Sequence, residues 1–361
     1  MRIAQIAPLT EAVPPKLYGG TERVVYWLTE ELVALGHEVT LFASGDSCTS
    51  AKLQAPWPRA LRLDSSIRDP NALHIMMLEH VRQQAHEFDM LHFHLDYYPF
   101  SLFARQPTPF LTTLHGRLDL PEHQPLFTAF PTMPVISISN AQRRPVPQAG
   151  WVRTIHHGLP ETLLMPQPVK PSYFAFLGRI APEKGVDRAI HIAREAGIPL
   201  KMAAKVDRVD REYFDGRIKG LIDGTAVEYI GEITDAEKST FLSGAIALLV
   251  PIDWPEPFGL VMIEAMACGT PVIAFNRGSV PEVIEDGVTG FVVEDEKDAI
   301  GASYRLHELS RQRIRERFEQ RFTARRMAQD YLAAYRGLMD RERPHLKLVV
   351  DGKSPPLAAA Q

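Results

Sequence analysis

Cysteine is almost missing from this chain: 361 residues hold two, Cys48 and Cys268. They stand far apart and without metal-ligand spacing. A disulfide scaffold and a thiolate zinc site are thereby excluded, and two reduced thiols in a cytoplasmic protein are expected. Long apolar runs are also missing, and none reaches the length of a membrane span. The opening stretch Met1–Pro8 reads as a short strand rather than a signal peptide. No sign of charge dominates. The formal net charge is −4, which argues against general nucleic-acid binding. No repeat of solenoid period is seen. The first strand–turn–helix lacks the Gly-x-Gly-x-x-Gly fingerprint. No acid holds the ribose position after the second strand, where Ser44-Gly45-Asp46 is the nearest candidate. Both absences weigh against a nicotinamide oxidoreductase.

What is present points to a globular α/β protein. A length of 361 residues suggests two domains, and 45% hydrophobic with 23% charged residues suits a soluble fold. Strand and helix alternate. Arg2–Ala7 is expected to be a strand and Thr21–Leu35 a helix, with Thr21 as N-cap, Gly36 as stop, and Val24, Val25, Leu28, Leu32 and Leu35 along one side. Strands are expected at Glu38–Ala43, Met90–Phe93, Phe110–Leu114 and Val135–Ser139. A proline-rich stretch, Leu159–Pro171, then reads as a linker. The alternation restarts with strand Tyr173–Leu177, helix Asp187–Ala196, and strands Leu200–Ala204, Val227–Ile230, Ala247–Val250, Pro271–Phe275 and Gly290–Val293. Two Rossmann-like parallel sheets in series follow, facing each other across a cleft, with ligands outside the carboxyl ends of the strands. The first domain should cover 1–160 and the second 171–318. Residues 311–336 read as helix, and the tail at 345–361 as loose.

The most informative segment is Asp253–Pro271. It holds two carboxylates, Glu256 and Glu264, with seven residues between them. Pro257 fits a first helical turn and Gly269 a stop, so Glu256 should lie in the loop before a helix and Glu264 on its second turn. Phe258 to Glu264 then spans about 9 Å along the axis. Between the acids lie the unpaired N–H groups of the helix start, a ready anion site. A sugar, a diphosphate and a ribose form a ligand of that shape. The competing reading is a surface helix with two solvated acids. Glu264 stands inside the apolar run Val261–Ala267, where an unpartnered charge is costly.

This segment resembles the donor signature of the retaining glycosyltransferases with the GT-B fold, the group that includes glycogen and sucrose synthase-like and mannosyltransferase enzymes. The resemblance extends over nearly the whole chain. It implies a hexosyltransferase that uses a nucleoside-diphosphate sugar, UDP-glucose or GDP-mannose, without a metal or other cofactor. The acceptor would be a glycan, a lipid-linked sugar or a small molecule. The first domain would be the acceptor domain and the second the donor domain, with a helix near residues 320–340 crossing back onto the first. Glu256 would touch the transferred sugar and Glu264 the ribose, with Phe258, Gly259 and Leu260 at the donor between them. Arg179 and Lys184, in a Gly-Arg-x4-Lys-Gly pattern, would meet the diphosphate and stabilise the leaving group. Gly19 and Gly20, after Tyr18, would let backbone approach the donor. His115 would stand near the reacting face of the sugar. Attack would come from the face the diphosphate leaves, with a phosphate oxygen as base.

Other residues have weaker readings. His92, His94 and Asp96 have ligand-like spacing, but an acceptor pocket or mutual hydrogen bonding explains them better than a metal. His156-His157-Gly158 stands where relatives often show Asn-Gly, and reads as structural and linker-side. Trp254 walls the sugar site or simply packs. Glu282 positions the donor loop or is structural, and Lys205 approaches the nucleotide. Arg143-Arg144 and Arg311–Arg317 offer weak peripheral contact with an anionic membrane, or else are solvated helix faces. Rival functions are a nucleotide-sugar epimerase or hydrolase and a non-catalytic nucleotide-sugar binder.

Overall fold

The computed structural model describes residues 1–16 and 19–342. Tyr18 and the tail at 345–361 lie outside the described residues. The first sheet contains β1 (Arg2–Ile6), β2 (Glu38–Ser44), β3 (Lys52–Trp57), β4 (Met90–Phe93), β5 (Phe110–Thr113), β6 (Val135–Ser137) and β7 (Trp151–Thr154), in spatial order β3-β2-β1-β4-β5-β6-β7. The second contains β8 (Tyr173–Arg179), β9 (Leu200–Lys205), β10 (Val227–Gly231), β11 (Ala245–Val250), β12 (Val272–Phe275) and β13 (Gly290–Val293), in order β10-β9-β8-β11-β12-β13. All pairings are parallel. β4 and β12 are buried along their whole length, as expected of strands covered by helices on both faces. The strand order reverses between β1 and β4, and again between β8 and β11. Crevices outside the carboxyl ends at such reversals are where ligands bind in this class of sheet.

The central strands fall where the apolar runs put them. The edge strands β3 and β7, and the helices Pro70–Gln84 and Asp235–Ser243, are additional. β3, Lys-Leu-Gln-Ala-Pro-Trp, contains a proline and has no fully buried residue, so it lacks the continuous apolar run that marks a central strand. The Gly20–Ala34 helix differs at its start. Gly19 is the N-cap, there is no side-chain cap, and Thr21 lies inside the first turn. The expected helix over 311–336 is two helices, Arg311–Arg321 and Ala324–Glu342. Thr323, between them, forms a bridge with Leu159. A Cβ on Gly158 would lie 2.2 Å from the Thr323 carbonyl oxygen, so glycine is required for the two segments to approach. Past this crossing the Ala324–Glu342 helix packs against the Gly20–Ala34 helix beside the first sheet. Phe318, Phe322, Met327 and Leu332 are all buried there.

Three arginines of the basic run Arg311–Arg317 are engaged within the molecule. Arg311 donates to the Ser243 and Ala245 carbonyls. Arg315 is buried and donates to the Leu164, Ala267 and Glu161 carbonyls, and Arg317 pairs with Glu285. These arginines tie the helix to the second half of the molecule. Among the described residues no helix is long and apolar enough to cross a membrane.

Candidate active site

Both strand-order reversals open onto one cleft. From the second half, β11 runs into the 251–259 loop and then the Leu260–Ala267 helix. Pro257 lies outside this helix and not in its first turn. Gly259 is the N-cap, in the left-handed region at φ 78°, and no side chain caps the helix start. The Met262 N–H bonds to the Gly259 carbonyl at 3.1 Å, and the Leu260 and Val261 N–H groups before it have no intrahelical acceptor in reach. A Cβ on Gly20 would lie 3.8 Å from Leu260, so the glycine loop after β1 faces this helix across the cleft. Gly19 is packed against Pro15 and Glu22.

Glu256 accepts a hydrogen bond from Trp254 Nε1 at 3.1 Å and forms an ion pair with Lys184. The Lys184 ammonium lies 4.8 Å from the Trp254 ring centre, and the Arg117 guanidinium approaches that ring from the first half. Trp254 therefore joins the two charged groups. Lys184 stands in the short turn after β8, whose last residue is Arg179. Arg179 pairs with Glu183 and with Asp210, the latter at 3.1 Å, and has Asp207 at 4.0 Å. Burial raises the Asp210 carboxyl above the usual carboxylate range. Both expected phosphate cations thus have carboxylate partners in the ligand-free chain. Lys205 pairs with Asp207 at 2.8 Å.

Glu264 lies on the second turn and is 5% exposed. Its Oε1 accepts from Lys238 Nζ at 2.7 Å. Burial alone would lower the Lys238 pKa, but Glu264 and Asp235 hold it above its ordinary value. Asp235 also pairs with Arg23 of the first half. Lys238 went unread in the sequence, although Thr234 and Glu237 form a capping box whose Thr-x-x-Glu spacing marks the helix that carries it. Phe258 is buried and its ring meets those of His156, His157 and Phe322. Its side chain supports the loop rather than lining the cleft. Cys268 is buried, and burial pushes its thiol up to about 12, which makes it inert.

From the first half come the histidines. His115 follows β5, with its Nε2 2.9 Å from His94 Nδ1 and its ring stacked on His157 at 5.3 Å. Burial pushes His115 down to about 3 and holds His92, His94 and His157 well below the ordinary histidine value. The His92 and His94 rings are tilted by 42° with their centres 4.1 Å apart. Asp96 is exposed and is the one non-glycine residue with positive φ among the described residues, at 46°. No group of three or more histidine, cysteine, aspartate or glutamate side chains among the described residues is arranged to hold a metal ion. His157, expected beside the linker as a structural residue, is buried and its ring packs between those of His115 and Phe258. Glu282 reaches across to the first half and accepts from the Asn140 and Ala141 N–H groups at 2.7 and 2.6 Å.

Residues 18–163 match the family model described as Glycosyltransferase Family 4, and residues 165–327 match that described as Glycosyl transferases group 1. The chain belongs to the GT-B glycosyltransferases. Within that family, alpha-maltose-1-phosphate synthase of Mycobacterium tuberculosis is 32% identical over 140 residues, 37% of this chain and 36% of that protein. Glycogen synthase of the same organism is 31% identical over 184 residues, 46% of this chain and 44% of that protein. These matches span less than half the length of the curated relatives. Sucrose-phosphate synthase from Thermosynechococcus elongatus superposes with a TM-score of 0.77 at 23% identity, covering 94% of this chain and 99% of that one. Anabaena HepE in complex with UDP and glucose gives 0.69 at 19% identity, covering 94% and 100%. At these identities the structural likeness establishes the GT-B fold alone.

Proposed function

We propose that the chain is a retaining glycosyltransferase that moves a hexose from a nucleoside-diphosphate sugar to an acceptor hydroxyl. The observation that carries this reading is the Lys184–Glu256 pair beside the uncapped start of the Leu260–Ala267 helix, opposite Gly20. A diphosphate placed there would meet helix N–H groups and two cations. It would take the place of the carboxylates now on Lys184 and Arg179, freeing Glu256 to accept hydrogen bonds from the sugar hydroxyls. Glu264, held by Lys238, would face the ribose. The acceptor hydroxyl would attack from the face the diphosphate leaves, and its proton would pass to the departing phosphate oxygen. Arg179 and Lys184 would stabilise the charge that develops there, since fixed cations act where charge appears in the transition state. No metal or cofactor is given a role. The two free cysteines suit a cytoplasmic enzyme.

Anabaena HepE, solved in complex with UDP-glucose, supports that donor as the first to test, with GDP-mannose the second. A panel of nucleotide sugars read by thermal shift selects the donor, because a bound ligand raises apparent stability. Lys184→Ala should lower transfer at least about tenfold with the fold intact. Unchanged transfer would remove Lys184 from its role. Donor consumption that does not depend on any acceptor would favour a hydrolase or epimerase instead.

A further inference from the structure

Gln5 lies within β1 and is fully buried, a setting in which a side-chain amide must be hydrogen-bonded. It has two partners. Nε2 donates to the Tyr335 hydroxyl at 3.1 Å, and Oε1 lies 2.8 Å from His94 Nε2. Two arms continue from there. The Tyr335 hydroxyl lies 2.8 Å from His92 Nδ1, and His92 Nε2 lies 2.8 Å from Thr113 Oγ1. The Thr113 hydroxyl meets the Tyr331 hydroxyl at 2.9 Å. In the other arm His94 Nδ1 lies 2.9 Å from His115 Nε2. His115 Nδ1 is buried and has no partner among the described residues.

A neutral imidazole has one donor and one acceptor nitrogen, so this chain of contacts has a direction. The three histidines are neutral because burial disfavours their charged form. With Gln5 Oε1 accepting, His94 donates from Nε2 and accepts at Nδ1. His115 must then donate from Nε2, and its Nδ1 carries a lone pair. In the other arm Tyr335 accepts from Gln5 and donates to His92 Nδ1. His92 then donates to Thr113, which donates to Tyr331. Every donor meets an acceptor. Turning the Gln5 amide over reverses both arms at once, and His115 would then offer an N–H. Reversing one arm alone sets two hydrogens or two lone pairs against each other and leaves buried polar groups unsatisfied.

We propose that Gln5 and Tyr335 are positioning residues that act through His94 to hold His115 as its Nε2–H tautomer, so that Nδ1 accepts a hydrogen bond from a substrate hydroxyl. The identity of that hydroxyl as a sugar's rests on the transferase reading; the tautomer does not. The orphaned Nδ1 is itself a reason to expect a ligand or water partner, and the stacked His157 ring carries a second Nδ1 that has no partner among the described residues. Tyr335 belongs to the Ala324–Glu342 helix. This helix therefore supplies a hydroxyl that fixes the amide of β1, as well as covering the sheet.

The test is long-range proton–nitrogen correlation on the full chain labelled with ¹⁵N-histidine, with the His115 signal identified as the one lost in His115→Asn. At neutral pH His115 should show a protonated Nε2 and a bare Nδ1. In Gln5→Leu and in Tyr335→Phe it should show a mixture of tautomers. Turnover in both variants should fall about fivefold or more with donor KM within about twofold, the pattern of an interaction made in the transition state. If Gln5→Leu does not fold, Tyr335→Phe, which keeps its ring, decides alone. A protonated Nδ1 in the native chain overturns the proposal. So does an unchanged tautomer in the variants, or a changed tautomer with unchanged turnover. A native chain with the expected tautomer but no transfer would overturn the transferase reading and leave this one standing.

Discussion

The histidines beside the cleft resist protonation, and that makes the stability of the protein depend on pH in a definite direction. His115 is held down to about 3 and His92, His94 and His157 well below 6.5, in each case chiefly by burial. In the unfolded chain these side chains take up protons near pH 6.5. Between that value and the lower folded values the unfolded state binds more protons than the folded one. Stability is therefore complete above about pH 6.5 and is lost as pH falls below it, with each histidine adding a slope of up to about 1.4 kcal/mol per pH unit. Tm should fall steeply from pH 6.5 to 5. Calorimetric unfolding near pH 5 in buffers of different ionisation enthalpy should show an uptake of about two to four protons from this group. A flat Tm over that range would mean that these imidazoles are not buried and neutral.

The loop that carries Glu256 is shaped by a neighbouring glycine. Gly278 has φ 56°, and a Cβ there would lie 2.3 Å from the Glu256 carbonyl oxygen and 2.4 Å from its nitrogen. The Ser279 N–H donates to the same carbonyl at 2.9 Å, and Ser279 Oγ to the Phe258 carbonyl at 2.9 Å. Gly278→Ala should therefore displace Glu256, weaken donor binding about tenfold or more, and cost about 1–3 kcal/mol in denaturant unfolding. Ala at the exposed Gly216, which has open space around it, is the control. Equal affinity in both variants would show that the loop tolerates the shift. The sequence carried the central strands and the two-glutamate segment because an apolar run or a fixed spacing is local. It did not carry Lys238 beside Glu264, Asp207 and Asp210 beside Arg179, or His157 on His115, because each of these pairs joins different elements of the chain. The edge strands β3 and β7 were missed for a different reason: half-exposed strands lack the continuous apolar run that signals a central one. The Pro257 expectation failed because Gly259, in a left-handed conformation, starts the helix later than proline alone suggests.

The two halves of the molecule are held in register by charge. Arg23, Asp235, Lys238 and Glu264 form one chain from the first half to the second-half helix start. On the other side of the cleft Glu282 receives the Asn140 and Ala141 N–H groups and lies 3.3 Å from His156 Nε2. Burial alone would raise this carboxyl, but hydrogen bonds from His156, Asn140 and Ala141 outweigh it and hold the group below its ordinary value. Its contribution is thus complete above about pH 4.5 and is lost as pH falls through the folded value. Glu282→Ala leaves two N–H groups without their charged acceptor and should cost about 1–3 kcal/mol. The loss should be local to the junction. Amide exchange at 140–142 should quicken, and small-angle scattering should show a larger radius of gyration as the halves separate. A cleft that closes less well excludes water less well, so donor hydrolysis should rise relative to transfer in this variant while the second sheet keeps its protection from exchange. Faster exchange with an unchanged radius and an unchanged ratio of hydrolysis to transfer would mean that Glu282 caps a helix and does not hold the molecule closed.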